Sequence, residues 1–250
     1  MINNNKLVLI TGASGGVGSA TAKHLAALGY EVGIGYCSNE HKAKTVQTEI
    51  GNAGGKSITV KLDYQDRKQI RSAIDELTRH FNKPISILIN NGAIAQEKPF
   101  NTITDDDWQQ MMAINLQGPF IAAQEVLDPM RENHWGRIIN ITSIGGQWGG
   151  FNQVHYAASK AALINLTQSL AKIYSKDGVV TTAVAIGLVA TDMSANELQT
   201  EAGKEKLKNI PAQRLATTSE IAETIEFLCS EKSAYLTGQT LNVNGGMYFG

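Results

Sequence analysis

Three polar side chains, Ser143, Tyr156 and Lys160, have the types and spacing that suit hydride transfer to a ketone or the reverse oxidation. Tyr156 and Lys160 are four residues apart in an alanine-rich segment, so on a helix they share one face. A lysine one turn away favours the phenolate and is expected to lower the tyrosine pKa toward the range useful for proton transfer. Ser143 follows an apolar run that predicts a buried strand, from whose end its hydroxyl could bind a carbonyl oxygen.

A glycine-rich turn near the N-terminus predicts where a dinucleotide cofactor would bind. An apolar run at 6–10 leads into Thr11-Gly12-Ala13-Ser14-Gly15-Gly16-Val17-Gly18 and then into a helical pattern at 19–28. Glycines let a backbone approach a pyrophosphate closely, and a helix N-terminus offers unpaired N–H groups. The strict G-x-G-x-x-G spacing is absent, so the alternative is a glycine-rich loop without a ligand.

The elements that must position these residues alternate along the whole chain. Apolar runs interleaved with helical patterns predict an α/β fold, a single-domain Rossmann-type doubly wound parallel sheet with helices on both faces. Thr104 with Asp107, and Thr217 with Glu220, have the spacing of capping boxes at helix starts. No linker or repeat divides residues 1–250, which predicts one domain. The predicted strands are 7–10, 32–36, 57–62, 85–90, 137–142, 180–186 and 240–243.

Composition and charge narrow the class of protein. A 250-residue chain with 42% hydrophobic residues can bury a sizeable core, and a net charge of −1 gives no reason to expect a nucleic acid or membrane partner. No apolar run approaches the roughly 18 residues of a membrane span, and residues 1–5 lack signal-peptide character, so a cytoplasmic location is expected. Cys37 and Cys229 have neither metal-ligand nor disulfide spacing; both are expected to be buried, and no metal site is expected.

The glycine turn, Asn90-Asn91-Gly92, Asn115, Ser143 and Tyr156-x-x-x-Lys160 together resemble the short-chain dehydrogenase/reductase family over essentially the whole chain. The C-terminal run at 235–248 is most similar to bacterial 3-oxoacyl-(acyl-carrier-protein) reductases, and runs at 210–215, 220–222 and 227–230 add to that likeness. The resemblance implies a nicotinamide-dependent oxidoreductase, and its branch implies reduction of a 3-oxoacyl thioester in fatty acid biosynthesis.

The resemblance also implies roles for individual residues. Tyr156 is expected to give its proton to the carbonyl oxygen, which Ser143 holds, while Lys160 contacts the nicotinamide ribose and supports the tyrosine. Asn115 is expected to support a water and the lysine in a proton relay, although an asparagine among apolar helix residues also suits a structural role at a kink. Gln153, Ser143 and Tyr156 are the expected substrate contacts.

Cofactor contacts are expected at the strand ends and in the glycine turn. By resemblance, Asp63 contacts the adenine, with capping of the next helix as its alternative role, and Asn90 and Gly92 support the backbone facing the cofactor. Val189 and Thr191 are expected at the nicotinamide amide. Two dipeptides depart from the family pattern: Gly92-Ala93 reverses the usual order, and Ile186-Gly187 replaces Pro-Gly. The remaining expected contacts are Gly12, Ser14, Gly16, Val17, Gly18, Tyr156 and Lys160.

The end of the second predicted strand favours NADP(H) over NAD(H). It reads Tyr36-Cys37-Ser38-Asn39, without the carboxylate that NAD-binding proteins place there for the ribose hydroxyl. Ser38 and Asn39 are therefore candidate contacts for a 2′-phosphate. Lys42 is either a further contact or an ordinary solvated side chain, and the arginine of many NADP-binding relatives is missing.

The segment between Ser143 and Tyr156 is expected to line the substrate pocket. Trp148 and Phe151 offer flat apolar surfaces there, and polar neighbours accompany them, a mixture that suits an acyl thioester, a sugar or an aromatic ketone. His155 is expected to point away from the tyrosine face of the helix. Residues 190–209 are expected to form a mobile lid, with a plain amphipathic surface helix as the alternative.

Three functional hypotheses follow. The first is NADP(H)-dependent reduction of a 3-oxoacyl thioester by a homotetramer that associates through the helix at 154–175 and the C-terminal strand region, with Arg131 and Lys172 as candidates for meeting an acidic carrier protein. The second is reduction of a sugar or another small-molecule ketone. The third is a non-catalytic nicotinamide-binding regulator, against which the presence of Asn115, Ser143, Tyr156 and Lys160 argues.

Overall fold

Seven parallel strands alternate with helices along the chain and form one sheet. The computed structural model describes residues 5–191, 205 and 207–250. The strand order is β3-β2-β1-β4-β5-β6-β7, so the chain winds outward from β1 in one direction and then from β4 in the other, which confirms the predicted doubly wound fold. The strands are β1 Leu7–Ile10, β2 Glu31–Tyr36, β3 Lys56–Lys61, β4 Ile85–Asn90, β5 Gly136–Ser143, β6 Val179–Ile186 and β7 Thr240–Val243.

Helices cover both faces of the sheet. Both predicted capping boxes are present: Thr104 starts one helix with Asp107, and Thr217 starts another with Glu220. Three short 3₁₀ turns lie at Phe100–Thr102, Ser175–Asp177 and Glu231–Ser233. The helices are α1 Gly16–Ala27, α2 Glu40–Asn52, α3 Arg67–Phe81, α4 Asp105–Met112, a π-helical turn Ala113–Gln117, α5 Gly118–Glu132, α6 Gly145–Trp148, α7 Val154–Tyr174 and α8 Thr218–Cys229.

The core lies in two layers, one on each face of the sheet. In β1, Val8 and Ile10 join the cluster that includes Leu25 of α1 and Leu228 of α8. Leu7 and Leu9 alternate with them and join the opposite cluster, which α3 and α5 help to form. All four β1 side chains are fully buried, because helices cover both faces, and this is why the strands are continuous apolar runs in the sequence.

Two local expectations are wrong. Helix α1 begins at Gly16, three residues before the predicted start, because its first turn is built from the glycine segment itself. Cys37 is exposed, since it follows the last residue of β2 where the chain leaves the sheet, whereas Cys229 is buried as expected. Most of the predicted lid at 190–209 lies outside the described residues.

Two properties of the described part of the chain bear on the type of site. No helix there is both long and apolar enough to cross a membrane. No group of three or more histidine, cysteine, aspartate or glutamate side chains within it is placed to hold a metal ion.

Candidate active site

The fold brings Ser143 and Tyr156 together at the carboxyl ends of the strands. Ser143 is the last residue of β5, paired with Ile186 at the end of β6, and its Oγ accepts a hydrogen bond from Gly145 N at 3.1 Å. Tyr156 lies in the first turn of α7, half-buried, with its hydroxyl near enough to Ser143 for the serine side chain to lower the pKa of Tyr156. Two hydroxyl groups that can both reach one carbonyl oxygen therefore meet at the edge where parallel sheets bind ligands.

Burial has the largest effect on the pKa values of Tyr156 and Lys160. Desolvation raises the pKa of Tyr156 above its ordinary value, and the nearby Ser143 side chain opposes this increase only in part, so the expected lowering is wrong for this structure. Lys160 lies with its Nζ 5.7 Å from the tyrosine ring centroid and donates a hydrogen bond to Ile141 O at 2.9 Å. Complete burial lowers the pKa of Lys160 to about 8. Tyr156 therefore holds its proton at neutral pH.

Asn115 links three parts of the site from within the π-helical turn. Its fully buried amide exchanges two hydrogen bonds of 2.9 Å with the backbone of Ile94 and donates a third, of 3.2 Å, to Ser159 Oγ. Ser159 in turn donates to the carbonyl oxygen of Tyr156 at 2.7 Å. The amide thus fastens the segment after β4 to the catalytic helix, and a π-turn of this kind is common at functional sites.

A second bridge to the catalytic helix involves His155, which sequence reasoning set aside. His155 is fully buried, and its Nε2 lies 2.8 Å from Gln96 Oε1, while Gln96 Nε2 donates to Asp107 Oδ1 at 3.0 Å. Because an amide oxygen only accepts, the His155 Nε2 is the donor. Lys98 N also donates to Asn152 O at 2.6 Å, so the 96–98 segment runs along the start of α7. No local pattern predicted this pairing, because its partners are about sixty residues apart.

The glycine turn is packed tightly against the segment that follows β4. A Cβ at Gly12 would lie 2.7 Å from Gly92 Cα, and a Cβ at Gly18 would lie 2.6 Å from Asn91 Nδ2, so larger residues do not fit at either position. Asn91 Nδ2 donates to the carbonyl oxygens of Thr11 and Gly12 at 3.0 and 3.1 Å. Asn91 therefore holds the turn, a role that the sequence did not distinguish from that of its neighbour Asn90.

The residues of the turn fit a dinucleotide pyrophosphate. Helix α1 begins at Gly16 without a side-chain cap, which leaves its first N–H groups to an incoming anion. Gly16 is an expected phosphate contact and Thr191 an expected nicotinamide contact, and a Cβ at Gly16 would lie 3.6 Å from Thr191 Cγ2. The two residues therefore lie side by side, and both line one groove of about 770 Å³. Val189 pairs with Ala216 in an isolated bridge that holds this segment beside the start of α8. Ser14 and Val17, in the same turn, are half-buried.

Asn90 lies below this surface, in a chain of buried hydrogen bonds. Its Oδ1 accepts from Tyr64 Oη at 2.7 Å, and its Nδ2 donates to Asn140 Oδ1 at 2.8 Å. The chain continues to Thr11 Oγ1, 2.6 Å from the tyrosine oxygen, and to Thr167 Oγ1, 2.9 Å from the second asparagine. Asn90 therefore supports the turn from the core, and the chain joins β1 to α7.

Tyr64 also explains the unusual Gly92-Ala93 order. A Cβ at Gly92 would lie 3.2 Å from Tyr64 Cε2, and a Cβ at Gly118 would lie 2.3 Å from Tyr64 Cβ. The ring thus occupies space that two glycines leave open. The second departure, Ile186-Gly187, is held by a hydrogen bond from Gly187 N to Val243 O at 3.0 Å.

The expected adenosine contacts lie at the ends of β2 and β3. Ser38 and Asn39 are exposed, and Asn39 Oδ1 caps α2 by accepting from Lys42 N at 3.0 Å. The nearest carboxylate in sequence, Glu40, is paired with Lys44 at 2.6 Å. Asp63 accepts from Gln65 N at 2.9 Å and does not cap α3. That cap is Asp66, so the capping alternative for Asp63 is wrong.

Two of the three expected substrate residues, Ser143 and Gln153, line a second pocket of about 810 Å³, and Tyr156 lies outside its lining. Gln153 lies in its wall, half-buried, and donates to Glu97 Oε1 at 3.4 Å. Gly92 and Thr191 lie outside its lining. The remaining lining residues are mostly apolar: Phe100, Ile144, Gly145, Trp148, Gly149, Gly150, Phe151, Asn152, Gly187, Leu188 and Met247.

Neither expected carrier contact lies at this entrance within one chain. Arg131 is in the last turn of α5, at the amino end of β5, and is paired with Asp177 at 3.1 Å and Asp128 at 3.4 Å. Lys172 follows Lys160 by twelve residues on α7, which is about 18 Å along the helix. Both candidates for meeting a carrier protein therefore lie at the end of the sheet opposite Ser143 of the same chain.

Comparison with known proteins shows which family has sequences similar to this chain. Residues 12–248 match the family model described as enoyl-(acyl carrier protein) reductase. The chain is 36% identical over 244 residues to the 3-oxoacyl-(acyl-carrier-protein) reductase FabG of Staphylococcus epidermidis, covering 98% of this chain and 99% of the relative.

Two further relatives carry the same description. The chain is 39% identical to FabG of Aquifex aeolicus and 37% identical to FabG of Salmonella typhimurium, in each case with 97% of both chains covered. Three bacterial relatives that match along nearly their full lengths thus share one described activity.

Proposed function

Since the chain belongs to the short-chain dehydrogenase/reductase family, we propose that it uses NADP(H) to reduce a 3-oxoacyl thioester to the 3-hydroxyacyl thioester. Membership makes it a nicotinamide-dependent oxidoreductase. The observation that supports the proposed reaction is the proximity of the Tyr156 hydroxyl to Ser143, whose side chain lines a largely apolar pocket.

Each side chain of the site has a separate role in carbonyl reduction. When bound, the nicotinamide supplies the hydride that adds to the carbonyl carbon. Ser143 donates a hydrogen bond to the carbonyl oxygen, and Tyr156, whose raised pKa keeps it protonated, transfers its proton to that oxygen. Lys160 stabilises the phenolate that remains, since its ammonium lies 5.7 Å from the ring centroid.

The choice of NADP(H) rests on the end of β2. Ser38 and Asn39 are exposed there, and Glu40, the nearest carboxylate in sequence, is already paired with Lys44. A free carboxylate at this position would repel a 2′-phosphate and bind a ribose hydroxyl instead. A polar surface with no free carboxylate among these residues therefore favours NADP(H).

The description of the family model supports a second candidate, reduction of the carbon–carbon double bond of an enoyl thioester. In that reaction the reduced carbon is two bonds from the carbonyl carbon, and the new proton goes to carbon rather than oxygen. The pairing of Ser143 with Tyr156 places both hydroxyls where one oxygen would receive a hydrogen bond and a proton. We therefore rank ketone reduction above enoyl reduction.

A cofactor-oxidation assay tests the proposal. Loss of absorbance at 340 nm is followed with NADPH and separately with NADH, against acetoacetyl-CoA, crotonyl-CoA and a set of simple ketones. We expect NADPH to be oxidised by acetoacetyl-CoA and not by crotonyl-CoA. Oxidation by crotonyl-CoA alone would support enoyl reduction, and cofactor binding with no oxidation by any compound would support a regulator.

The proposed homotetramer would use the outer face of α4, α5 and α7. Trp108 and Phe120 are 42% and 40% exposed, and together with Met112, Leu116 and Leu166 they line an apolar depression on this face. Large exposed apolar patches of this kind mark association surfaces. The face includes the helix through which the family resemblance implies association.

A further inference from the structure

The pocket beside Ser143 has an aromatic wall. Phe100, Trp148 and Phe151 line it together with Leu188 and Met247. None of the described residues in the lining carries a charge, and its polar side chains are those of Ser143, Asn152 and Gln153. The reacting carbonyl and this wall therefore share one cavity.

The aromatic side chains of the wall are unusually exposed. Phe151 is 101% exposed, Phe100 is 74% exposed and Trp148 is 51% exposed. A single exposed aromatic residue needs no explanation, but three around one cavity form a patch of the kind that binds an apolar group. The wall is thus available to a ligand that enters toward Ser143.

The segment that carries Trp148 and Phe151 makes backbone and ring contacts. Phe151 lies on a turn between Gly149, with φ of +89°, and Asn152, with φ of +52°. Both residue types tolerate the left-handed region, so the turn forms without strain. Asn152 is fixed by the hydrogen bond from Lys98 N, and the Trp148 ring packs edge-on against Tyr248 with centroids 6.3 Å apart.

We propose that this wall selects ketones whose carbonyl carbon carries a bulky, uncharged apolar group, an aryl ring or a long alkyl chain. This inference rests on the proposed function and orders its substrate class: 3-oxoacyl thioesters larger than acetoacetyl are reduced in preference to acetoacetyl itself. The methyl group of acetoacetyl removes little surface from water, whereas a ring against Trp148 and Phe151 removes much more and gains ring–ring contacts. A sugar would bury hydroxyls against a wall with few partners for them.

The test compares substrates that differ only in this group. With NADPH, kcat/KM is measured for the acetoacetyl, 3-oxooctanoyl and benzoylacetyl thioesters of N-acetylcysteamine, which removes the carrier as a variable. We expect the two bulky thioesters to exceed acetoacetyl by about tenfold or more. Equal values, or a preference for acetoacetyl, would overturn the inference.

Variants of the wall connect the preference to its residues. In Trp148→Ala and Phe151→Ala the ratio of kcat/KM for benzoylacetyl over acetoacetyl is expected to fall several-fold. Tyr235→Ala, at an aromatic residue that is 101% exposed outside the pocket lining, serves as the matched control and should keep the wild-type ratio. Both substrates are measured on the same preparation of each variant. A smaller folded fraction therefore lowers both kcat/KM values equally and leaves their ratio unchanged. An unchanged ratio in both wall variants would refute the assignment.

A parallel pair of simple ketones separates this inference from the proposed function. The same ratio is measured for acetophenone over butanone. If these ketones show the preference and no thioester is reduced, the thioester proposal fails while the wall keeps its role. If thioesters are reduced without regard to size, the proposed function stands and the wall inference fails. Absence of turnover with every compound would overturn both.

Discussion

At the scale of single residues, burial controls the chemistry of the site. The same desolvation that raises the pKa of Tyr156 lowers that of Lys160, so both side chains are shifted toward their neutral forms. A protonated tyrosine is the form needed to reduce a ketone. The apolar surroundings thus favour the direction in which Tyr156 acts as an acid.

Replacement of Tyr156 by phenylalanine removes the proton donor and leaves the ring. We expect Tyr156→Phe to lower kcat by about 10²–10⁴-fold, the usual contribution of a general acid, with NADPH affinity still measurable by fluorescence titration. Tyr174→Phe, at the last residue of the same helix, is the matched control and should keep its activity. Turnover of Tyr156→Phe within a few-fold of the wild type would exclude the tyrosine from this role.

Lys160 should make stability depend on pH in a defined window. Its pKa is about 8 in the folded chain against 10.5 for an ordinary lysine. Between these values the unfolded chain holds the proton that the folded chain has released, so the free energy of unfolding should rise with pH, in total by on the order of a few kcal/mol. Below pH 8 this gain is absent.

The measurement is the urea midpoint of the wild type minus that of Lys160→Met, followed from pH 7 to pH 10.5. We expect the difference to move in favour of the wild type above pH 8. Lys172→Met, at an exposed position on the same helix, is the control for general effects of alkaline pH. If the difference in urea midpoint between the wild type and Lys160→Met stays constant above pH 8, the pKa of Lys160 is not lowered by burial.

At the scale of elements, hydrogen bonds through the core connect the glycine turn to the catalytic helix. Thr11, Tyr64, Asn90, Asn140 and Thr167 form a continuous chain from the end of β1, through β4 and β5, to α7. Every step is 2.6 to 2.9 Å long. The elements that would carry the cofactor and the proton donor are thereby fixed relative to one another.

Removal of one hydroxyl should break this chain. Tyr64→Phe keeps the ring against Gly92 and Gly118 but leaves the buried Oδ1 of Asn90 without its donor. We expect a loss of about 1–3 kcal/mol in the free energy of unfolding, measured by urea titration. Tyr235→Phe, at a fully exposed ring, is the control. A Tyr64→Phe protein as stable as the wild type would show that the hydroxyl is not needed.

At the scale of the whole molecule, the outer face of α4 and α5 is the surface that we expect to join subunits. The wild type should sediment as a tetramer, and Phe120→Asp should shift it to smaller species by placing a charge in the apolar depression. Leu28→Asp, equally exposed at the end of α1, is the matched control. A monomeric wild type at micromolar concentration would rule out the tetramer, and an unchanged mass for Phe120→Asp would move the interface elsewhere.

The amino-acid sequence by itself determined the elements and the family of this protein and supplied the candidates for its reacting groups. The family is confirmed, all seven strands were placed to within a residue or so of their ends, and both capping boxes were found. These features depend on local periodicity and on short motifs, which neighbouring residues in the chain carry.

Only the tertiary structure decided which side chains meet and how they titrate. The pairing of His155 with Gln96, the role of Asn91 in holding the turn, and the fit of Tyr64 beside Gly92 join residues far apart in sequence. The pKa of Tyr156 was predicted in the wrong direction, because spacing shows that a lysine is near but does not show how much water the fold removes. Desolvation and distant contacts are properties of the packed chain, so no local pattern in the sequence contains them.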